Sequence, residues 1–380
     1  MKLKLILILI VFILPLFGCW DYDEFHDSIT VSGIALDKGE EKQYLITIET
    51  VRYSYVAEEA PKPVYYNIEA ESIVGGLRES ISFTGRSLFL GHVAAIIISE
   101  ELAKEGVISV LDAFIRDHEI RLTIPVFIAK ESLAKDFLMD KALQTTQTGR
   151  EINETLDYLV EYSGIANEIR LYQVYDKFFK IGICAIVPAL KLVKVNEEYE
   201  TFRLHGFACF DDDRLTGYIL PKQVPFFASL INYYDGGVLE IEIPDAGYLD
   251  VEVLNSKTKY KVKFIDGDFH LYINIDIHFN IASDDTNNNF NLIDLDPEDI
   301  EEIVVKHRNF YAEEFIEFMR MELDCDVVGI EKLIRHKSYK NWKANKDKYD
   351  FFQDTIIHIN TQAEYATPGI LKHRRADTDG

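Results

Sequence analysis

Two runs, Tyr248–Phe264 (YLDVEVLNSKTKYKVKF) and Phe269–Ile281 (FHLYINIDIHFNI), alternate apolar and polar residues almost without a break. A period of two belongs to a strand with one buried face. The link between them carries Asp266-Gly267-Asp268, and an Asp-Gly pair between alternating runs signals a hairpin. The pair therefore predicts a long antiparallel hairpin, with Val238–Ile243 as a further strand. Upstream, Phe202–Phe210 and Leu215–Leu220 flank Asp211-Asp212-Asp213 and predict a second hairpin. Downstream, the polar, Asn-rich stretch Ser283–Asp296 leads into Asp296-Pro297-Glu298-Asp299. Proline suits the first turn of a helix, so a long helix is expected from there to about Leu323. Phe351–Tyr365 reads as a last strand.

The first half interleaves strands and helices more closely. Val31–Leu36 and Tyr44–Val56 read as a hairpin turning at Asp37-Lys38-Gly39-Glu40, and Glu58–Pro63 as a polar loop. Ile73, Leu77 and Ile81 recur every four residues, which predicts a helix within Ile68–Ser82. His92–Ile98 reads as a short strand. Ser99 is an expected helix cap with Glu100 and Glu101 in the first turn. Further helices are expected at Leu111–Arg116, Glu131–Met139 and Ile152–Tyr162. Strands are expected at Leu122–Lys130 and at Ile181–Val195, the latter interrupted near Pro188. The sum is an α+β fold of two to three mixed domains, each with a largely antiparallel sheet packed on helices. The charged stretch Asn196–Thr201 is the expected boundary. It separates residues 19–195, with 19–130 and 131–195 as candidate subdomains, from a domain over 202–370, with 371–380 as a polar tail.

The chain's 380 residues suit that domain count. Apolar residues make up 48%, enough for a core and against global disorder. A net charge of −24 argues against non-specific nucleic-acid binding. Met1-Lys2-Leu3-Lys4 precedes an apolar run, Leu5–Phe17, too short for the ~20 residues of a spanning helix and suited to a signal peptide over residues 1–18. Leu16-Phe17-Gly18-Cys19 looks like a bacterial lipobox. There the Cys19 thiol takes a diacylglyceryl group, and cleavage leaves Cys19 as the first residue. Cleavage would also remove Lys2 and Lys4, leaving a still more acidic body that an anionic bilayer repels. Two acyl chains would then be its main hold. Cys184, Cys209 and Cys325 remain; their number is odd, so at least one thiol stays free. Cys184 and Cys209 lie in strand-like apolar runs and read as core residues.

No GxSxG, HExxH, CxxC, Walker A or GxGxxG pattern occurs. Ser132-Leu133-Ala134-Lys135 fits the SxxK of penicillin-binding proteins, in which a lysine helps take the serine proton. Two fixed residues recur by chance, and Lys257-Thr258-Lys259 is a poor third element for such a site. Asp285-Thr286-Asn287-Asn288-Asn289 with Asp296 spaces oxygen ligands like an EF-hand loop, but Phe290 stands where glycine is needed. Asp211–Asp213 reads as a solvated hairpin tip, and His92 as a hydrogen-bonded core residue. No metal site or cofactor is expected. Gly85-Arg86 and Arg116-Asp117-His118-Glu119-Ile120-Arg121 are dense in charge; they suit local ion pairs or a partner contact.

Several segments together resemble the Ger(x)C family, the C-subunit lipoproteins of bacterial spore germinant receptors. Gly18-Cys19-Trp20-Asp21 followed by Val31–Lys38 (VSGIALDK) is similar to the family's opening. Thr84–His92 (TGRSLFLGH), Ile96–Gly106, Leu111–Thr123 and the hairpin Gly206–Ile219 (GFACFDDDRLTGYI) continue it. Asp326, Gly329, Trp342, Phe351-Phe352 and Gly369 follow in the family's order. Ala35 replaces a usual Gly, Leu220–Pro225 replaces a commonly charged segment, and Glu331 stands where a second Gly is common. The resemblance implies a non-catalytic subunit of a nutrient germinant receptor, required for spore germination. It would be lipid-anchored through Cys19 (N-palmitoyl, S-diacylglycerol) on the outer face of the spore inner membrane. Its implied partners are polytopic A-type and B-type subunits, with no nucleic acid. Two rivals remain. A solute-binding lipoprotein of a transporter would show two similar lobes around a cleft, and an SxxK cell-wall enzyme would use Ser132.

Overall fold

The computed structural model describes residues 28–366 apart from 53–61, 140, 163–169, 198, 235, 288–291 and 293–294. Residues 1–18, Cys19, Gly369 and the tail 371–380 therefore lie outside the described residues.

The first sheet contains β1 (Ser28–Lys38), β2 (Tyr44–Arg52), β3 (Lys62–Ala70), β4 (Ser87–Phe89), β5 (Ala95–Ser99), β6 (Val126–Ala129), β7 (Ala185–Lys194), β8 (Glu200–Asp211) and β9 (Arg214–Ile219). Its order is β3-β2-β1-β5-β6-β7-β8-β9, with β4 beside β1. The middle strands β1, β5, β6 and β7 run parallel, while antiparallel hairpins form both ends. Parallel strands covered on both faces need unbroken apolar runs. Ala95–Ser99 and Val126–Ala129 are buried at every position. One face packs on α1 (Ile73–Glu79), α3 (Glu100–Glu105), α4 (Ile108–Ile115) and α7 (Leu171–Lys177), while the short α2 (Ile81–Thr84) buries no residue. The other, with Ile97, Phe127 and Leu190, packs on α5 (Ala134–Leu138) and α6 (Thr148–Tyr162) through Phe137, Leu138, Ile152 and Leu156.

The second sheet is β10 (Gly237–Ile243), β11 (Gly247–Ile265), β12 (Asp268–Thr286) and β13 (Ile356–Tyr365), in that order. The first three are antiparallel, and β13 lies parallel to β12. The alternation of Phe269–Ile281 shows directly. Phe269, Leu271, Ile273, Ile275, Ile277 and Phe279 are buried, while His270, Tyr272, Asn274 and Asp276 face outward. Over the buried side lie α8 (Val224–Leu230) and α9 (Pro297–Phe318), then a single π-helical turn, Met319–Leu323. α10 (Ile330–Lys337) and α11 (Tyr339–Asn345) follow. Asp296 caps α9, and its partner Asp299 reaches back to the Asp296 backbone in a reciprocal box. The fold is α+β with mostly antiparallel sheets, as the sequence predicts.

Several expectations need correction. Ile68–Ala70 belongs to β3, paired with Tyr44–Ile46, and the helix begins only at Ile73. There Ser72 accepts the Gly75 N–H at 3.1 Å. The strand expected at Leu122–Lys130 shrinks to β6, and that at Phe351–Tyr365 starts at Ile356. Helices α7, α8, α10 and α11 have no counterpart in the sequence reading. The segment Leu220–Pro225 forms a short 3-10 turn and opens α8. Asn196–Thr201 holds the turn of the β7–β8 hairpin and the first two residues of β8, Glu200 and Thr201, and the ladder of the first sheet runs across it.

Two glycines are required by close approach. Gly206 has φ +78°, and a Cβ there would stand 1.9 Å from the Ile219 carbonyl oxygen of β9. At Gly149 a Cβ would stand 2.6 Å from the Ser32 carbonyl, so only glycine lets the start of α6 rest on the β1 backbone.

Candidate functional site

Three buried carboxylates hold helix starts. Asp37 at the end of β1 accepts the N–H groups of Ala134 (2.6 Å) and Lys135 (2.9 Å). Glu49 on β2 accepts Thr148 N–H (2.7 Å), Gly149 N–H (3.0 Å) and the Ser32 hydroxyl (2.7 Å). Asp326 accepts Gly329 N–H (2.7 Å), Ile330 N–H (2.9 Å) and Glu331 N–H (3.2 Å). Each supplies an acceptor that the first helical turn lacks. Burial pushes all three carboxyls up, Asp326 to about 6, against the opposing pull of their backbone donors. Ser32 and Glu49 form a hydroxyl–carboxylate pair that is 2% and 0% exposed, and both Glu49 oxygens are already taken up by Thr148 N–H, Gly149 N–H and the Ser32 hydroxyl.

The other candidates separate in space. Ser132 precedes α5, whose N-cap is Leu133, so it does not sit one helical turn before Lys135. The start of that helix is already filled by Asp37, and Lys257-Thr258-Lys259 lies in the other sheet. Asp285 and Thr286 belong to β12, where neighbours point to opposite faces; Asn288 and Asn289 lie outside the described residues. Asp296 is a helix cap. Among the described residues no cluster of three metal-ligating side chains forms. Asp213 accepts the Ile108 N–H at 3.3 Å and so docks the start of α4 on the β8–β9 turn. His92 is not a core residue: it is exposed and meets Phe89 edge to face at 5.3 Å. The charged segment is tied to its neighbours at the surface. Arg116 pairs with Asp112 at 2.6 Å, Glu119 accepts the Leu90 N–H at 3.2 Å, and Arg121 Nε donates to the Gly91 carbonyl at 2.8 Å.

Two open cavities remain. One, of about 790 Å³, is lined by His92, Arg121, Arg150, Arg170 and hydroxyl and amide side chains. Arg150 pairs with Glu154 at 2.8 Å, and Arg170 with Asp157 at 2.8 Å. The other, of about 880 Å³, is a groove between α8 and α9 with Phe226, Phe315, Phe318, Glu314 and Glu317 on its walls. Sequence reasoning missed both, because their residues come from distant segments.

The three thiols also meet. Cys184 N–H donates to the Asp326 carbonyl at 2.8 Å, and Cys325 Sγ lies 3.4 Å from the Phe210 carbonyl. A hydrogen bond to the Cys184 thiol, then burial, pushes Cys325 up; burial alone dominates at Cys209. Cys209 and Cys325 are buried and Cys184 half-buried, and all three are free. In a Cys19→Ala chain at pH 8, a thiol-specific disulfide reagent is expected to modify Cys184 first. Cys209 and Cys325 should react roughly 100-fold more slowly until the chain unfolds. Equal rates, read by peptide mass mapping, would contradict this packing.

The comparisons with known proteins agree on one family. Residues 21–192 match the family described as spore germination protein N-terminal domain. Residues 205–369 match spore germination B3/GerAC like, C-terminal. Spore germination protein B3 of Bacillus subtilis is 23% identical over 90% of this chain and 92% of its own length. Spore germination protein KC of the same organism is 26% identical, but over 50% of this chain and 49% of its own length. The crystal structure of the GerBC protein superposes with a TM-score of 0.55 at 18% identity, covering 88% of this chain and 97% of that one. At that identity the superposition shows the fold alone, and it is the same fold. With both of the family's halves matched in order along one chain, the protein belongs to the Ger(x)C family of spore germination proteins.

Proposed function

We propose that the chain is the lipid-anchored C-subunit of a nutrient germinant receptor, acting in spore germination without catalysis of its own. The observation that carries this reading is the adjacent match of both family halves over residues 21–192 and 205–369. The sequence adds Leu16-Phe17-Gly18-Cys19 at the end of a short apolar run, which suits acylation of Cys19. No helix among the described residues is long and apolar enough to cross a membrane. An acylated Cys19 would then hold the body at the outer face of the spore inner membrane, beside polytopic A-type and B-type subunits. The buried Ser32–Glu49 pair and the separated Ser132 and Lys135 favour a binding role over a catalytic one.

A C-terminally tagged protein, solubilised from spore inner membranes in mild detergent, is expected to bring down two multi-spanning germination subunits. Cys19→Ala is expected to release the protein from the membrane fraction and abolish that recovery. Recovery of a transporter permease or wall-synthesis proteins instead would overturn the reading.

A further inference from the structure

The outer face of the second sheet carries a row of lysines on a chain whose net charge is −24. Lys257, Lys259, Lys261 and Lys263 are every second residue of β11, and all four are exposed. At ~3.4 Å per residue the row extends about 20 Å. Asp276 pairs with Lys259 at 2.8 Å; among the described residues no carboxylate pairs with Lys257, Lys261 or Lys263. Lys263 instead lies 5.0 Å above the Tyr272 ring, which stacks on His358 at 4.5 Å, with His270 beside it. Ile265 and Ile356, 39% and 41% exposed, flank the row near the hairpin turn, where Asp266 and Asp268 also stand.

The strand ladder ends beside the row. β10 pairs with β11 only as far as Val253, and beyond it β12 is the one strand paired with β11 among the described residues, with Asn232 Oδ1 accepting the Thr258 N–H on the other edge. Lysines on an open edge discourage the addition of another strand. What fits the stripe is a broad negative surface. A flat cationic face with tyrosine and aliphatic side chains at its margin has the composition of an interfacial membrane contact.

We propose that the outward face of β11, β12 and β13 is the side on which the protein lies against a bilayer rich in anionic phospholipid. This deepens the anchored reading above and rests on it. Eight residues, nine steps of chain, lie between Cys19 and Ser28, so an acylated chain holds Ser28 within at most ~32 Å of the bilayer. The acidic remainder of the body is repelled by the same surface, which selects one orientation.

The test uses the full acylated chain with vesicles of phosphatidylcholine alone or mixed with phosphatidylglycerol. Flotation with phosphatidylcholine alone reports the anchor. Acetylation of individual lysines, followed by mass spectrometry, reports the face. On the anionic vesicles Lys257, Lys259, Lys261 and Lys263 are expected to be acetylated about 5-fold more slowly than on neutral ones, and the protection should vanish in high salt. The exposed Lys62 and Lys340 should label equally on both. Flotation with equal labelling of the row on both vesicles would overturn the proposal while leaving the anchor standing. Flotation and protection on anionic vesicles alone would support the face and remove the anchor. Flotation with neither would overturn both.

Discussion

Asp326→Ala is expected to lower the unfolding free energy by about 3–4 kcal/mol. The Asp326 carboxylate is 7% exposed and receives three backbone N–H groups at the start of α10, at 2.7, 2.9 and 3.2 Å. Alanine would leave those donors buried without acceptors. The same stretch joins the two halves of the protein: the Asp326 carbonyl accepts Cys184 N–H, and the Gly182 carbonyl accepts Lys332 N–H at 3.1 Å. The denaturant midpoint measures the loss, and a change below about 1 kcal/mol would mean that water reaches the helix start. Asp326→Asn isolates the titration. The Asp326 carboxyl is raised from 3.8 to about 6, so the native state holds its proton more tightly than the unfolded chain does. Its contribution to folding is therefore largest below pH 4 and fades as pH rises through 6. His307 runs the other way: burial lowers it from 6.5 to about 4, so its contribution is present above 6.5 and lost as pH falls through 4. The difference between wild type and Asp326→Asn cancels His307. It should move in favour of wild type by about 2 kcal/mol between pH 7 and pH 4. The opposite slope would refute the assignment.

Arg308→Met is expected to stabilise the protein. Arg308, on α9, is 1% exposed, and no carboxylate meets it among the described residues. Its Nη2 donates to the Ser229 hydroxyl and to the Pro225 carbonyl, and its guanidinium lies 5.0 and 5.1 Å from the Phe226 and Tyr234 rings. Nε and Nη1 find no acceptor among the described residues. Burial lowers the guanidinium from 12.5 to about 10. A cation with a depressed native pKa opposes folding fully below that pKa, and the opposition fades only as pH rises from about 10 toward 12.5. The shift corresponds to about 3 kcal/mol at neutral pH, from which two ring contacts and two hydrogen bonds must be subtracted. A gain of about 1–2 kcal/mol is expected, read as a higher denaturant midpoint at unchanged slope. A loss larger than about 1 kcal/mol would show that the rings and Ser229 compensate the charge fully.

Alternation and capping chemistry made the second sheet and α9 legible, because a half-buried strand and a capped helix each mark their own residues. Ser99, expected as a cap, accepts the Leu102 N–H at 3.4 Å. β3 escaped because Pro63 and Lys62 give its start the look of a loop, although proline is tolerated on an edge strand. α8 escaped because Pro225 reads as a breaker, while in the structure it occupies the first turn. The parallel register of β1, β5, β6 and β7 leaves no local mark, since uniformly buried strands show no alternation. None of the buried carboxylates or cavities of the candidate site was legible by position, and Gly18-Cys19, which the sequence singles out, lies outside the described residues. Asp37 looked like a turn residue and Glu49 like one polar residue of a strand. Their roles depend on helices about a hundred residues away.

The β7–β8 hairpin also bears on how such proteins can exchange parts. A crossover between relatives placed between β7 and β8 would pair β7 of one parent with β8 of another across nine matched residue pairs, from Ala185–Phe210 to Lys194–Glu200. Recombination after β9, at Leu220, keeps the whole first sheet from one ancestor. The seam between the two matched segments is thus a poor place for inheritance to cut, and the joint beyond β9 a better one.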